Sequence, residues 1–251
     1  MRLKEKRAIV TGGGRGIGRA IALAFAREGA NVAVSARSSN EIETVRKEIL
    51  ELGPSALAFP GDVSIERDVR DMVSQVAEKF GGIDILVNNA GVHIRSPVVD
   101  MKLEDWELTM AVNLRGPFLC TKAVLPYMME QRSGKIINIS SDSGKKGWAT
   151  GSAYCASKFG LLGFTEAVSE EVADEYGINV NALCVGGVDT KMAREAIAYA
   201  GYDLDWEKVM QPEDIADACI FLASEESRAI HGAFIDIFGL PSLRYGDMEN
   251  R

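Results

Sequence analysis

The chain has 251 residues and a formal net charge of −8, from 28 Lys and Arg against 36 Asp and Glu. Neither nucleic acid nor an anionic membrane is expected as a main partner, since both need concentrated Lys and Arg, and no apolar run approaches the ~20 residues of a membrane span. Met1-Arg2-Leu3-Lys4-Glu5-Lys6 lacks a signal-peptide core, Cys120, Cys155, Cys184 and Cys219 are scattered through apolar or helical surroundings, and only His93 and His231 offer imidazoles, so a reduced, cytoplasmic protein without a metal is expected.

The length suits one domain over residues 1–251, and no linker divides it. Ala8-Ile9-Val10 is a short apolar run of strand type, and Thr11-Gly12-Gly13-Gly14-Arg15-Gly16-Ile17-Gly18 follows directly. Ile17, Ile21, Ala24 and Phe25 then recur at helical spacing until Gly29, and Asn31-Val32-Ala33-Val34-Ser35 reads as the next strand. Strand, glycine loop, helix and strand form the unit in which backbone amides and a helix N-terminus hold a pyrophosphate. Gly12, Gly16 and Gly18 are spaced G-x-x-x-G-x-G, with one more residue in the turn than the usual dinucleotide fingerprint. The second strand ends Ser35-Ala36-Arg37-Ser38-Ser39, with no carboxylate before Glu41 to accept from ribose hydroxyls. Arg37 offers a planar cationic fork suited to a 2′-phosphate, and Arg15 in the glycine loop can approach the same group. NADP(H) is therefore the preferred cofactor, with NAD(H) as the alternative should both arginines be solvated surface residues.

Further strand-like runs at 56–59, 83–88, 135–139, 179–184 and 234–237 alternate with helical stretches. That pattern predicts an α/β fold: a doubly wound parallel sheet of about seven strands with helices on both faces. Helices are expected over 116–130 and 152–176, and both carry more apolar residues than one buried face needs, among them Phe118, Leu125, Phe159 and Phe164. Within the second, Tyr154 and Lys158 are stacked neighbours four residues apart, so an ammonium would sit beside the phenol and favour its ionised form. Lowering a tyrosine pKa by about three units takes roughly 4 kcal/mol of differential stabilisation. The pair by itself is also what an ordinary amphipathic face presents.

Taken together, Thr11-Gly12-x-x-x-Gly16-x-Gly18, Asn88-Asn89-Ala90-Gly91, Asn113, Ser141 and Tyr154-x-x-x-Lys158 resemble the short-chain dehydrogenase/reductase family in order and spacing, from Lys6 to about Gly239. The resemblance implies a Rossmann-like fold, a nicotinamide cofactor and a catalytic tetrad of Asn113, Ser141, Tyr154 and Lys158. It also implies that Gly12, Arg15, Gly16, Ile17, Gly18, Tyr154 and Lys158 contact the cofactor, that Asp62 and Val63 meet the adenine, and that Asn89, Ala90 and Gly91 form the turn beside it. Asp84 looks structural. Gly186, Val188 and Thr190 match residues on the nicotinamide and phosphates, although Val185 stands where the family usually has proline, which should loosen that loop more than abolish binding. The sequence after the last strand is likewise altered, to Ile237-Phe238-Gly239. In related proteins the two apolar helices pair across a two-fold axis, so a homodimer or homotetramer is expected.

The reaction implied is reversible hydride transfer between nicotinamide and a carbonyl or secondary alcohol. Ser141 would hydrogen-bond the substrate oxygen, Tyr154 would exchange the proton, Lys158 would lower the tyrosine pKa and bind the ribose, and Asn113 would hold a water linking Lys158 to solvent. Ser140 is expected to face the opposite way. Residues 190–211 should form a lid bearing Tyr199, Tyr202 and Trp206, with Trp148 and Thr150 on the other wall and His93 either in the cleft or in a hydrogen-bonded surface loop. The tail 240–251 is polar. A small-molecule ketone, sugar or polyol is the preferred substrate. A 3-oxoacyl-[acyl-carrier-protein] reductase is the alternative, although Glu166, Glu170, Glu171, Asp174 and Glu175 leave only Arg132, Lys135, Lys145 and Lys146 as a basic patch for an acidic carrier. A non-catalytic nucleotide sensor would have no need of Tyr154 and Lys158.

Overall fold

A computed structural model describes residues 1–201 and 204–239. Seven strands, β1 (Arg7–Thr11), β2 (Asn31–Ala36), β3 (Ala56–Pro60), β4 (Ile85–Asn88), β5 (Gly134–Ser141), β6 (Ile178–Val185) and β7 (Phe234–Ile237), form one sheet in the order β3-β2-β1-β4-β5-β6-β7. Every pairing is parallel. The expected strands are all present; the fourth begins at Ile85 rather than Ile83, and the fifth runs from Gly134 to Ser141 rather than over 135–139.

The helices are α1 (Gly16–Arg27), α2 (Ser39–Glu51), α3 (Glu66–Phe80), α4 (Leu103–Met110), α5 (Gly116–Gln131), α6 (Ser152–Tyr176), α7 (Lys191–Ala200) and α8 (Pro212–Ala223). Alternation along β1 shows how they are distributed. Ala8 and Val10 pack with Ile21 and Phe25 of α1, Ile42 of α2 and Cys219 of α8, whereas Ile9 packs on the other face with Val69 of α3, Val124 of α5 and Val168 of α6. A strand buried on both sides reads as a continuous apolar run for this reason.

Asp84 is structural, as expected: it accepts from Arg7 Nε at 2.7 Å and from the Arg7 main-chain N at 2.8 Å, locking β1 to the start of β4. Strand order reverses between β1 and β4, so a crevice opens above their carboxyl ends, where open α/β sheets bind ligands. Among the described residues no helix is long and apolar enough to cross a membrane, and no cluster of His, Cys, Asp and Glu could hold a metal ion.

Candidate active site

The crevice is a cleft of about 770 Å³ that runs from the glycine loop to α7, within the size range of small-molecule and cofactor sites. At one end β1 hands over to α1 through Gly12, whose φ of 63° is open to glycine. A Cβ on Gly18 would lie 2.2 Å from the Gly12 carbonyl oxygen and 2.4 Å from Asn89 Nδ2, so the loop closes tightly over the β4 turn only because that side chain is absent. Asn89 Nδ2 donates to the carbonyls of Thr11 and Gly12, at 2.9 and 3.2 Å, and Thr11 Oγ1 accepts from the amides of Asn89 and Ala90. The N-terminus of α1 has no side-chain cap and no acid in its first turn. Free amides, a positive dipole end and a loop without side chains are the donor set that a pyrophosphate needs, so these residues fit a dinucleotide.

Ile17, Asn89, Ala90, Gly91, Gly186, Val188 and Thr190 line the same cleft. Val185 ends β6 in register with Ile237, and Gly186 N donates to Ile237 O at 2.8 Å, so the loop lacking proline is pinned by the sheet edge. Asp62 accepts from Ser64 N and Oγ at 2.9 and 2.7 Å. Burial pushes its pKa up, but these bonds together with the charges of Arg37 and Arg115 win and hold it below the usual carboxylate value. Val63 is buried against Gly116. Arg37 is exposed at the cleft mouth, and Arg15 Nη1 lies 3.5 Å from Glu41. Glu41, the first carboxylate after β2, lines the cleft from the first turn of α2 and sits beside Arg15.

Of the expected tetrad, Ser141, Tyr154 and Lys158 line the opposite stretch, whereas Asn113 is fully buried outside the lining. Ser141 ends β5, and α6 sets Tyr154 and Lys158 one turn apart, with Lys158 Nζ 5.7 Å from the phenol ring centre. Lys158 is 5% exposed and donates to Ile139 O at 2.7 Å. Burial pulls its pKa down from 10.5 to about 8. The expected lowering of the Tyr154 pKa is not what the protein alone produces. Desolvation of the phenol raises it above the ordinary value of 10; a hydrogen bond with Ser141 lowers it, and the Asp142 charge raises it again. Asn113 falls in a π-helical turn, Ala111–Arg115. Its amide accepts from Val92 N at 2.8 Å and donates to Val92 O and Ser157 Oγ at 2.9 and 3.1 Å, so the side chain braces the segment after β4. Ser140 turns back to donate to Lys158 O at 3.3 Å.

The braced segment carries His93, which the structure puts in the cleft rather than in a surface loop. Its ring lies 4.3 Å from that of Tyr154 and 5.4 Å, edge-on, from that of Trp148. Burial, with the charges of Arg95 and Lys158, pulls its pKa down from 6.5 to about 4, and its Nε2 is buried without a hydrogen-bond partner. Trp148 and Trp206 line the cleft. Tyr199 does not: it is 58% exposed, stacked under Arg95 at 5.0 Å on the outer side of α7. Thr150 is also outside the lining and instead accepts from Arg95 Nε at 3.1 Å. Tyr202 and the tail 240–251 lie outside the described residues. The two ends of the segment expected to form a lid are joined by a bridge between Val188 and Met210, with Asp189 N donating to Met210 O at 2.8 Å.

Two further findings bear on the reading of this site. Lys135 is buried and donates to Asn179 Oδ1 at 2.8 Å, and Lys145 is paired with Asp236, so the basic patch anticipated from Arg132, Lys135, Lys145 and Lys146 loses two members. Comparison with known proteins supplies the other. The family model described as short chain dehydrogenase matches residues 6–199. An uncharacterized oxidoreductase of Bacillus subtilis, YxjF, is 38% identical over 94% of this chain and 98% of its own length. The 3-oxoacyl-[acyl-carrier-protein] reductase FabG of Thermotoga maritima is 37% identical over 95% of this chain and 98% of its own. Among solved structures, a levodione reductase superposes with a TM-score of 0.89 at 30% identity, covering 95% of this chain and 98% of that one.

Proposed function

Because this chain belongs to the short-chain dehydrogenase/reductase family of oxidoreductases acting on carbonyls and alcohols, we propose that it transfers a hydride between NADP(H) and a small free ketone, sugar or polyol. The observation that carries this reading is the juxtaposition of Ser141, Tyr154 and Lys158 at the inner wall of a cleft whose other end is the glycine cradle. A bound nicotinamide supplies or takes the hydride. Tyr154 then handles the proton: a phenol raised by burial is fully protonated at neutral pH and ready to donate to a carbonyl oxygen. In the oxidative direction the phenol must lose that proton, and the buried ammonium of Lys158, one turn away, favours the phenolate. Asn113 holds Val92 and thereby the His93 wall against which the substrate rests.

Arg15 and Arg37 support NADP over NAD, tempered by Glu41 beside them. The likeness to a levodione reductase supports a small-molecule ketone. That to 3-oxoacyl-[acyl-carrier-protein] reductases supports a carrier-bound substrate, which the depleted basic patch and the acidic end of α6 disfavour. Four buried cysteines without a disulfide fit a cytoplasmic setting, and exposed Phe118 on α5 and Phe159 on α6 fit a homo-oligomer formed through these helices. The test is a panel of ketones, sugars, polyols and acetoacetyl-carrier protein followed by NADPH absorbance, with Tyr154→Phe as control. Turnover of the carrier-bound substrate far above every free ketone would replace the first reading by the second.

A further inference from the structure

Ser141 faces the cleft, yet its one proton is already given away. Its Oγ donates to Asp142 Oδ1 at 2.8 Å and accepts from Ser143 N at 3.2 Å. A hydroxyl has one proton and two lone pairs, so while that proton is on Asp142 the remaining lone pair is shared between the Tyr154 hydroxyl and a ligand. Asp142 Oδ1 also takes the proton of Ser143 Oγ at 3.2 Å, and that oxygen in turn accepts from Trp148 Nε1 at 2.8 Å. Trp148, Ser143 and Ser141 thus lock one carboxylate oxygen in place. Oδ2 has no hydrogen-bond partner among the described residues, and Lys145, the nearest cation in sequence, is taken by Asp236. Asp142 is part-exposed and lines the cleft together with Ser141 and Trp148. A carboxylate oxygen facing a ligand cavity needs a donor, and covering it with an alkyl group would strand a charge.

Resting on the oxidoreductase reading above, we propose that Asp142 determines substrate specificity: Oδ1 is held in place by Ser141 and Ser143, and Oδ2 binds a second hydroxyl on the carbon next to the reacting one. The substrates are then vicinal diols and the matching α-hydroxy ketones. With a hydroxy ketone, Tyr154 donates to the carbonyl and the neighbouring hydroxyl donates to Asp142; with the diol, the reacting hydroxyl gives its proton to the Tyr154 phenolate and its neighbour donates to Asp142. The same charge repels carboxylate-bearing substrates.

The experiment compares trans-cyclohexane-1,2-diol with cyclohexanol, and 2-hydroxycyclohexanone with cyclohexanone, on the full-length wild type and on Asp142→Asn. Binding of the two alcohols to the NADPH-loaded protein, read from nicotinamide fluorescence, involves no turnover; kcat/KM is measured for the two ketones. A hydrogen bond to a charged acceptor should give the hydroxylated partner of each pair an advantage of roughly tenfold to a hundredfold in the wild type, collapsing to below about threefold in Asp142→Asn. Equal binding of diol and cyclohexanol by the wild type would overturn the proposal, as would a preference that survives Asp142→Asn. A diol preference in binding that depends on Asp142, with no turnover of any ketone, would leave the recognition intact and count against the proposed hydride transfer to small free ketones instead.

Discussion

Replacing Lys158 by methionine should flatten the pH dependence of stability between about pH 7 and pH 9.5, whatever it does to catalysis. Lys158 is 5% exposed and its pKa falls from 10.5 to about 8 on folding because burial penalises the ammonium. The unfolded chain therefore binds more protons than the folded one between those two values, and stability rises with pH across that window. Below pH 8 both states carry the charge, and the folded protein bears the full penalty of roughly 3 kcal/mol. Raising the pH from about 7 to about 9.5 should return about 2 kcal/mol of this, or roughly 4–8 °C in Tm for a chain of this size. Lys158→Met removes the penalty but also strips Ile139 O of its donor at 2.7 Å, a loss of about 1–3 kcal/mol. The two terms nearly cancel at neutral pH, so the slope and not the level is decisive. Urea unfolding of the unliganded protein, at fixed concentration and several pH values, should give a wild type that gains stability relative to the variant as pH rises. Parallel profiles would refute the assignment of a buried, charge-penalised lysine.

Tyr154→Phe removes the transferable proton at nearly constant volume, so kcat should fall by at least ~100-fold with NADPH binding retained; a variant keeping a tenth of wild-type turnover would remove Tyr154 from the mechanism. Kinetics with both cofactors should favour NADPH by roughly tenfold to a hundredfold. Arg37→Ala should erase most of that preference, Ala36→Asp should reverse it, and Glu41→Gln should enlarge it by freeing Arg15 from the carboxylate 3.5 Å away; equal or better efficiency with NADH in the wild type would sink the NADP reading. Light scattering at micromolar concentration should show a dimer or tetramer, and a monomer would mean that Phe118 and Phe159 stay exposed in solution.

The sheet was legible because each strand is a short apolar run bounded by turn residues, and β-branched burial on two faces leaves little room for another reading. The glycine loop was legible for a related reason. Gly12 and Gly18 answer steric demands: Gly12 has a left-handed φ where a Cβ would lie 2.9 Å from Ala90 Cα, and a Cβ on Gly18 would lie 2.2 Å from the Gly12 carbonyl oxygen. What escaped the sequence is contact between segments that share no periodicity. The brace of Asn113 on Val92 depends on a π-helical turn, and nothing in Ala111–Arg115 announces one. Glu41 reaches Arg15 because α2 starts soon after β2 and brings its first turn back over the loop, a contact that the sequence pattern does not show.

The Tyr154–Lys158 pair shows most clearly where spacing stops being informative. Four residues on a helix fix that the two side chains are neighbours, and on that point sequence and structure agree. The sign of the tyrosine shift depends on a different quantity, the water removed from the phenol, and that is decided by groups from elsewhere in the chain. The His93 ring stacks on it from the segment after β4, and the Asp142 charge comes from the end of β5. Lys158, meanwhile, is drawn to Ile139 O and is itself pushed toward neutrality by burial. Desolvation therefore opposes charge on both members of the pair, and in the protein alone it outweighs the attraction that their spacing promised. A site of this kind holds its proton on the phenol until an oxygen that can take it arrives.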